Sequence, residues 1–390
     1  MKWKKVRLGD IIVTKKGFAF KSHKYTDFGV PIVRVSDYTF DSISDKDLKY
    51  YPMEEKANYL EYELHEKDII IQTVGSWQNN PASVVGKVVR VPELLNGALL
   101  NQNAVKILPI NGVDCNYLFY RLKSDDFKGH LLGEARGAAN QASITLETIK
   151  IFEFNLPTYD IQYRIGSILS AYDELIENNQ KQIKLLEEVV HRLYKEWFVN
   201  LRFPGYDQTK IIDGVPEDWK KGYLGDIAEF KRGKTITKKM VVDGDVPVVA
   251  GGIEPAYYHN IANTKAPVIT VSASGANAGF VRMYYIDIFA SDCSFVDINT
   301  TEYLYFVYCF MINNKAQLDI LQKGSAQPHV YAKDINAITL NIPNKHIMHL
   351  FCEITQPLFE KISVLEKINR NLKQTRDRLL PKLMSGEIEV

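Results

Sequence analysis

Cysteine is rare in this sequence, and what there is does not cluster. The four residues, at 115, 293, 309 and 352, include no pair at the close spacing of a zinc knuckle or a redox dithiol, so reduced, buried thiols in a cytoplasmic protein are expected. Of eight histidines only His346 and His349 are near each other, and no cysteine or carboxylate cluster completes a site around them; no metal is expected. No stretch approaches the roughly 18 consecutive apolar residues of a membrane span. The basic start Trp3-Lys4-Lys5-Val6-Arg7 has no apolar run behind it, so no secretory signal is expected either. An excess of one charge is lacking too: 48 basic residues against 47 acidic ones leave +1. Nucleic-acid binders are commonly more basic, so any positive surface has to be local. Catalytic motifs are also missing. Gly233-Lys234-Thr235 looks like the end of a phosphate-binding loop, but the glycine needed five residues earlier is Ala228, and Gly17-Phe18-Ala19 lacks even the lysine. An enzyme methylating adenine would need an Asn/Asp-Pro-Pro-aromatic segment, and Asn80-Pro81-Ala82 fails at the second proline. Glu217 and Asp218 have no paired upstream acid and read as solvated charges.

What the chain does carry is an internal repeat. With 390 residues, 46% hydrophobic and 24% charged, it is long enough for two domains, each with its own core. Trp3-Lys4-Lys5, Leu8-Gly9-Asp10-Ile11 and Lys15-Lys16-Gly17 recur 216 residues later as Trp219-Lys220-Lys221, Leu224-Gly225-Asp226-Ile227 and Lys231-Arg232-Gly233. The same offset carries Val30-Pro31-Ile32-Val33 onto Val246-Pro247-Val248-Val249. Further on the offset shortens to 186: Tyr117-Leu118 falls on Tyr303-Leu304, Asn155-Leu156-Pro157 on Asn341-Ile342-Pro343, and Arg192-Leu193 on Arg378-Leu379. The first half therefore holds 30 extra residues in its middle. The two halves share a frame and differ between its fixed points.

Each repeat has two parts. Residues 1–157 and 215–343 are rich in short β-prone runs broken by Gly, Pro and Asn, among them Ile69-Ile70-Ile71, Val84-Val85, Lys87-Val88-Val89-Arg90-Val91 and Val268-Ile269-Thr270-Val271. These read as strands joined by turns, with short helices near 117–123 and 304–313. Residues 158–200 and 344–390 read as long helices, the latter with a short tail, and 201–214 as a linker. In the first helix Leu169, Ile176, Ile183, Val190 and Trp197 recur every seven residues, interleaved with Ile165, Tyr172, Asn179, Leu186 and Leu193. That is the seam of a coiled coil. In the second, Phe351, Leu358, Leu365, Leu372 and Leu379 keep one line, while the other is interrupted at Asn369 and Arg376. A helix of roughly 40 residues is about 60 Å long, more than a small domain covers, so the two are expected to pack on each other. They should run antiparallel if each leaves its own domain towards the other. Asn179 is the kind of polar seam residue that fixes register, and Pro381 is expected to end or kink the second helix near Leu380. The fold class expected is α+β: two mixed, β-rich domains joined by two long helices in an antiparallel coiled coil, with a pseudo-twofold internal repeat.

Several segments resemble a known family. Lys16-Gly17-Phe18-Ala19-Phe20-Lys21-Ser22 followed by Val30-Pro31-Ile32-Val33-Arg34-Val35-Ser36-Asp37 is similar to the opening of the specificity subunits of Type I restriction–modification systems. The tail Arg378-Leu379-Leu380-Pro381-Lys382-Leu383-Met384-Ser385-Gly386-Glu387 and the segment Gly324-Ser325-Ala326-Gln327-Pro328-His329-Val330 are similar to parts of the same proteins. The resemblance covers nearly the whole chain. It implies two target recognition domains, each reading half of a bipartite site in double-stranded DNA, with the paired helices as spacer. It also implies two methyltransferase (modification) subunits docked on this scaffold, restriction subunits in the full complex, and no catalysis by the chain itself. S-adenosylmethionine, ATP and Mg would then belong to partner subunits, with no cofactor in this chain, no membrane contact and a cytoplasmic location. In the first repeat the segment matching Gly324–Val330 is Gly137-Ala138-Ala139-Asn140-Gln141-Ala142-Ser143-Ile144. It lacks the proline and histidine, so transfer between the domains position by position stops there. The alternative is a tandem-repeat coiled-coil adaptor that binds protein rather than DNA.

Candidate readers follow from side-chain chemistry. Asn and Gln can bond adenine bidentately in the major groove, and Arg or Lys can bond guanine. In the first domain Gln72, Ser76, Trp77, Gln78 and Asn79 lie in one polar, turn-rich stretch, joined by Asn101, Gln102, Arg136, Asn140 and Gln141. In the second, Ser272, Ser274, Asn277, Lys323, Ser325, Gln327 and His329 take similar places. Phosphates would be held by Lys15, Lys16, Lys21, Lys231, Arg232 and Lys234, with Lys238 and Lys239 beside them.

Overall fold

The computed structural model describes residues 3–39, 42–77, 84–138, 141–323 and 328–390. The chain divides into two compact units, residues 1–177 with 370–390, and residues 178–369.

In the first unit β1 (Lys4–Arg7) pairs antiparallel with β12 (Glu153–Leu156). The main sheet has the order β2 (Ile12–Lys16), β9 (Ala104–Pro109), β5 (Ile69–Gln72), β7 (Val88–Arg90), antiparallel throughout. A second sheet sets β3 (Val30–Val33) between antiparallel β4 (Lys49–Tyr51) and parallel β8 (Leu99–Leu100). A small ribbon runs β10 (Arg136–Ala138), β11 (Gln141–Ser143), β6 (Val74–Gly75). The Ile69-Ile70-Ile71 run is buried on both faces, a place that suits β-branched side chains. Ile69 and Ile71 enter a core with residues of α1 (Cys115–Leu122), α2 (Asp125–Glu134), α3 (Leu146–Lys150) and the start of the long helix α4 (Tyr159–Tyr194); Ile70 joins a separate cluster with Val33, Leu64 and Val89. Val84-Val85, expected as a strand, is only a bridge from Val84 to Ser76 followed by a turn. Gly86, at a φ of +81°, takes the left-handed conformation that turn needs.

The second unit repeats the main sheets of this plan. After a hairpin of β13 (Ile211–Ile212) and β14 (Val215–Pro216), β15 (Lys220–Tyr223) pairs with β23 (Thr339–Ile342). The main sheet has the order β16 (Lys231–Arg232), β22 (Cys293–Asp297), β19 (Val268–Ser272), β20 (Val281–Tyr284). β17 (Val246–Val249) lies between antiparallel β18 (Tyr257–His259) and parallel β21 (Phe289–Ala290). Its short helices are α5 (Leu224–Ile227), α6 (Leu304–Asn313), α7 (Lys315–Ile320) and α8 (Ala332–Asn336). Part of the extra length of the first domain is the ten-residue 3-10 segment Met53–Tyr62, which has no counterpart between β18 and β19.

The two long helices are α4, which closes in a π-helical turn at Lys195–Val199, and α9 (Lys345–Ser385). Within each unit they run antiparallel. In the first, Ile165 and Leu169 share a core with Leu379, Leu380 and Leu383. There the buried Arg376 guanidinium donates to Asp173, whose other oxygen accepts the Tyr120 hydroxyl at 2.5 Å. In the second, the buried Asn179 amide donates to the Asn369 side-chain oxygen at 2.8 Å, and the rings of Tyr194 and Phe351 meet edge-on, 6.1 Å between centres. Of the expected seam, Ile165, Ile176, Phe351 and Leu365 are buried, and Tyr172, Ile183, Leu186, Leu193, Leu358, Leu372 and Leu379 are half-buried. Asn369 and Arg376 interrupt the apolar line because each meets a polar partner on α4. Glu187 of α4 is half-buried, and burial first, then the charge of Glu366 on α9, raises its carboxyl above the ordinary value of 4.5.

The helix does not end near Leu380: α9 passes through Pro381 and continues to Ser385. Proline forgoes an amide bond there, but Leu383 and Met384 beyond it are buried in the first unit's core. The helix stops instead at Gly386, whose φ of +76° is the left-handed ending glycine favours.

Candidate nucleic-acid interface

In each domain a glycine-centred crossing brings candidate residues together. In the first, the Gly17 amide donates to the Ala104 carbonyl and the Phe18 amide to the Leu100 carbonyl, both at 3.0 Å, and the Gln102 amide donates back to Phe18 at 2.8 Å. A Cβ on Gly17 would lie 1.9 Å from the Asn101 carbonyl oxygen, so only glycine lets the segments touch. Exposed Lys15 and Lys16, at the end of β2, are thereby set near exposed Gln102 and half-buried Asn101, whose side-chain oxygen accepts the Gln102 amide at 2.8 Å. The second domain does the same. The Gly233 amide donates to Cys293 at 2.8 Å and the Lys234 amide to Ala290 at 3.0 Å, and a Cβ on Gly233 would lie 2.3 Å from the Ser291 carbonyl oxygen. Lys231, Arg232 and Lys234 are exposed there, as are Lys21, Lys238 and Lys239 on turns further along their domains. Of these cations only Arg232 has an ion-pair partner among the described residues, Asp292 at 3.9 Å.

Beside each crossing lies a short ribbon. In the first domain Val74 stands opposite Ser143, and Ser143 opposite Arg136. In the second, single bridges set Ser274 opposite His329 and His329 opposite Lys323. The amides of Ile144 and Val330 donate to Thr73 and Ala273 respectively, at 2.9 and 3.0 Å, which fixes the correspondence. Arg136 and Lys323 therefore hold equivalent places, as do Ser143 and His329. Arg136 and Gln141 are exposed. Lys323 is exposed but its ammonium donates to Asp334 at 2.8 Å, and the half-buried His329 ring lies nearly parallel to Tyr331, 6.1 Å between centres. Asn277 is half-buried in the turn Gly275–Asn277.

Two expected readers are not on the surface. Gln72 and Ser272, the last residues of β5 and β19, are 1% and 4% exposed. The Gln72 amide donates to the Val74 carbonyl and the Ser272 hydroxyl to the Gly251 carbonyl, each at 2.9 Å. These donors satisfy backbone where the strands end, and neither buried side chain can reach a base edge. Trp77 packs half-buried against the first core, and Ser76 is half-buried at its bridge to Val84. Gln78, Asn79, Asn140, Ser325 and Gln327 lie outside the described residues.

Sequence reasoning missed Asp292. Its carboxylate accepts the Ser274 hydroxyl and faces Arg232. Its counterpart is Asn103, since the Ala273 amide donates to the Asp292 carbonyl as the Thr73 amide does to Asn103. That pairing has an offset of 189 residues, which neither register of the repeat reaches. The Asn101-Gln102-Asn103 run was the available signal. Cations and amides on a stiff frame can hold phosphates and read base edges. Among the described residues no three His, Cys, Asp or Glu side chains are grouped to hold a metal ion, and no helix is long and apolar enough to cross a membrane.

The sequence matches the family described as Type I restriction modification DNA specificity domain twice, over residues 1–188 and 216–374. The chain belongs to this family. Specificity subunits are the non-catalytic components of type I restriction enzymes, and the role of this member is to confer DNA specificity within such an assembly, not to catalyse. The MjaIX specificity subunit of Methanocaldococcus jannaschii is 27% identical over 321 residues, 76% of this chain and 74% of its own length. The putative MjaX specificity subunit of the same organism is 24% identical, covering 100% of this chain and 94% of its own, and the HindI specificity subunit of Haemophilus influenzae is 22% identical, covering 74% and 80%. The crystal structure of a type I restriction–modification S subunit from M. genitalium covers 98% of this chain and 96% of its own at 18% identity and a TM-score of 0.60. That likeness shows the specificity-subunit fold.

Proposed function

We propose that each domain reads one half of a bipartite site in double-stranded DNA, and that the helix pair sets the gap between the halves. The observation that carries this reading is the doubled surface: the crossings at Gly17 and Gly233 and the ribbons at Arg136 and Lys323 recur in one frame with different side chains. A frame kept while its contact residues change is what two independent readers need. Phosphate contacts are assigned to Lys15, Lys16, Lys21, Lys231 and Lys234, and base contacts to Gln102, Arg136, Gln141, Ser274, Arg232 and His329.

Two modification subunits would dock on the outer faces of the long helices, with restriction subunits joining the full complex in the cytoplasm. Exposed Ile168, Leu175 and Val189 on α4 and Ile354 and Ile368 on α9 lie seven or fourteen residues apart, away from the seam, and exposed apolar side chains on one line support a docked partner. Methyl transfer to adenine, and with it S-adenosylmethionine, ATP and Mg, belongs to those partners. The test is to replace residues 1–157 by the corresponding domain of a relative and sequence the methylome of a host expressing the complex. One half of the methylated motif should change and the other stay; both halves changing together, or neither, would refute independent reading.

A further inference from the structure

We infer that Asp292 is a specificity-determining positioning residue: its carboxylate ties Arg232 and Ser274 into one unit that recognises a guanine in the second half-site. This rests on the DNA-reading function proposed above. Three separate segments meet at Asp292. Arg232 comes from β16, with its guanidinium 3.9 Å from one carboxylate oxygen. Ser274 follows β19, and its hydroxyl donates to the other oxygen. Asp292 itself lies in the turn between β21 and β22. Room for the junction comes from Gly251, where a Cβ would lie 2.9 Å from the Ser274 carbonyl, 3.1 Å from its hydroxyl and 3.5 Å from the Asp292 carboxylate.

Electrostatics makes the acid informative. Lys231 and Lys234 flank Arg232 and have no ion-pair partner among the described residues, so they attract phosphate without constraint. A carboxylate among them weakens that sequence-independent attraction and has to act through orientation instead. A guanidinium reads guanine with two parallel hydrogen bonds, which depend on the angle of its plane; a carboxylate 3.9 Å to one side of the group, paired by charge without a hydrogen bond, biases that angle. The first domain has no such junction, because Lys16, Val74 and Asn103 hold the places of Arg232, Ser274 and Asp292. The two domains therefore differ here in mechanism as well as in residue identity.

The experiment uses the chain assembled with its modification subunits. Methylome sequencing identifies the motif, and fluorescence anisotropy compares duplexes carrying each base at every guanine of the second half-site, with a scrambled duplex as the non-specific control. D292N, which keeps an acceptor for Ser274 but removes the charge, should lower discrimination at one guanine about ten-fold. It should leave the first half-site unchanged and bind the scrambled duplex as well as or better than the parent. An unchanged motif with unchanged discrimination would overturn the proposal, and so would equal loss at both half-sites with a lower melting temperature, the mark of a purely structural role. R232A separates the two levels. If it alters neither affinity nor motif, the DNA-reading assignment of this face is wrong; if it acts and D292N does not, only the positioning role fails. Should D292N not assemble, S274A, which releases the other side of the carboxylate, takes its place, and it must relax the guanine position that R232A identifies for the proposal to stand.

Discussion

Replacing Asp173 by asparagine should destabilise the first unit more than any surface change on the long helices. The Arg376 side chain that bonds Asp173 is only 7% exposed, so it cannot recover by moving into water. Asp377 remains as a second acceptor, at 3.0 and 2.9 Å from two guanidinium nitrogens, but it is largely solvated. Breaking one side of a buried pair costs about 3–5 kcal/mol, and the surviving partner places D173N near about 3 kcal/mol. For a unit of about 200 residues, a loss of 1 kcal/mol lowers the melting temperature by roughly 2–4 °C, which gives a drop of about 6–12 °C. Tyr120 adds to the effect. Burial, and then the Asp173 charge, keep its phenol protonated far above the usual range, so it remains a donor on the alkaline side and loses a charged acceptor in the variant. Thermal unfolding followed by circular dichroism reads the shift. The triple variant Y120F/D173L/R376M, which removes the phenol, the carboxylate and the guanidinium together, should recover most of the loss, because an apolar replacement of a buried ion pair is often neutral or better. A D173N melting curve within about 1 °C of the parent would refute the reasoning.

Glu187→Gln should raise the melting temperature of the second unit at neutral pH, with the gain fading as pH falls through the raised carboxyl value and gone by about pH 4.5. The folded-state value is raised above 4.5, so the native state favours the protonated form and loses stability as pH rises through the raised value; melting curves across pH decide it. Leu372→Glu, which puts a charge at a half-buried seam position, should cost about 2 kcal/mol, the low end for a lost buried leucine, seen as a lower denaturant midpoint with an unchanged slope. Replacing Lys231 and Lys234 together by alanine should reduce the slope of log affinity against log salt by up to about 2 while leaving the order of preferred sequences unchanged.

The repeat and the helices were legible in the sequence because both rest on periodicity. Leu169, Ile176, Ile183 and Val190 recur every seven residues, and even Asn369 and Arg376, which look like defects in one helix, make sense once Asn179 and Asp173 of the other are seen opposite them. Single contacts were harder. Gln72 and Ser272 read as turn residues because amides and hydroxyls suit turns, yet each ends a buried strand and spends its polar group on backbone. Asp292 escaped because insertions shift the register between the frame's fixed points. Pro381 misled because a local rule met the burial of Leu383 and Met384, and burial won.

The composition of the two units bears on the order in which they can fold. The first needs residues 370–390, since Leu379, Leu383 and Met384 complete the core around Ile165 and Leu169. A ribosome adding about 5–20 residues per second delivers that segment roughly 10–40 s after residue 177. The second unit, enclosed within residues 178–369, has all its parts before then, so the domain made later is the one that can finish first. During the interval the apolar face of α4 near Ile165 waits uncovered, open to chaperones or to another nascent chain. A premature stop just after residue 369 would accordingly spoil the domain at the opposite end of the gene, and leave intact the one next to the stop.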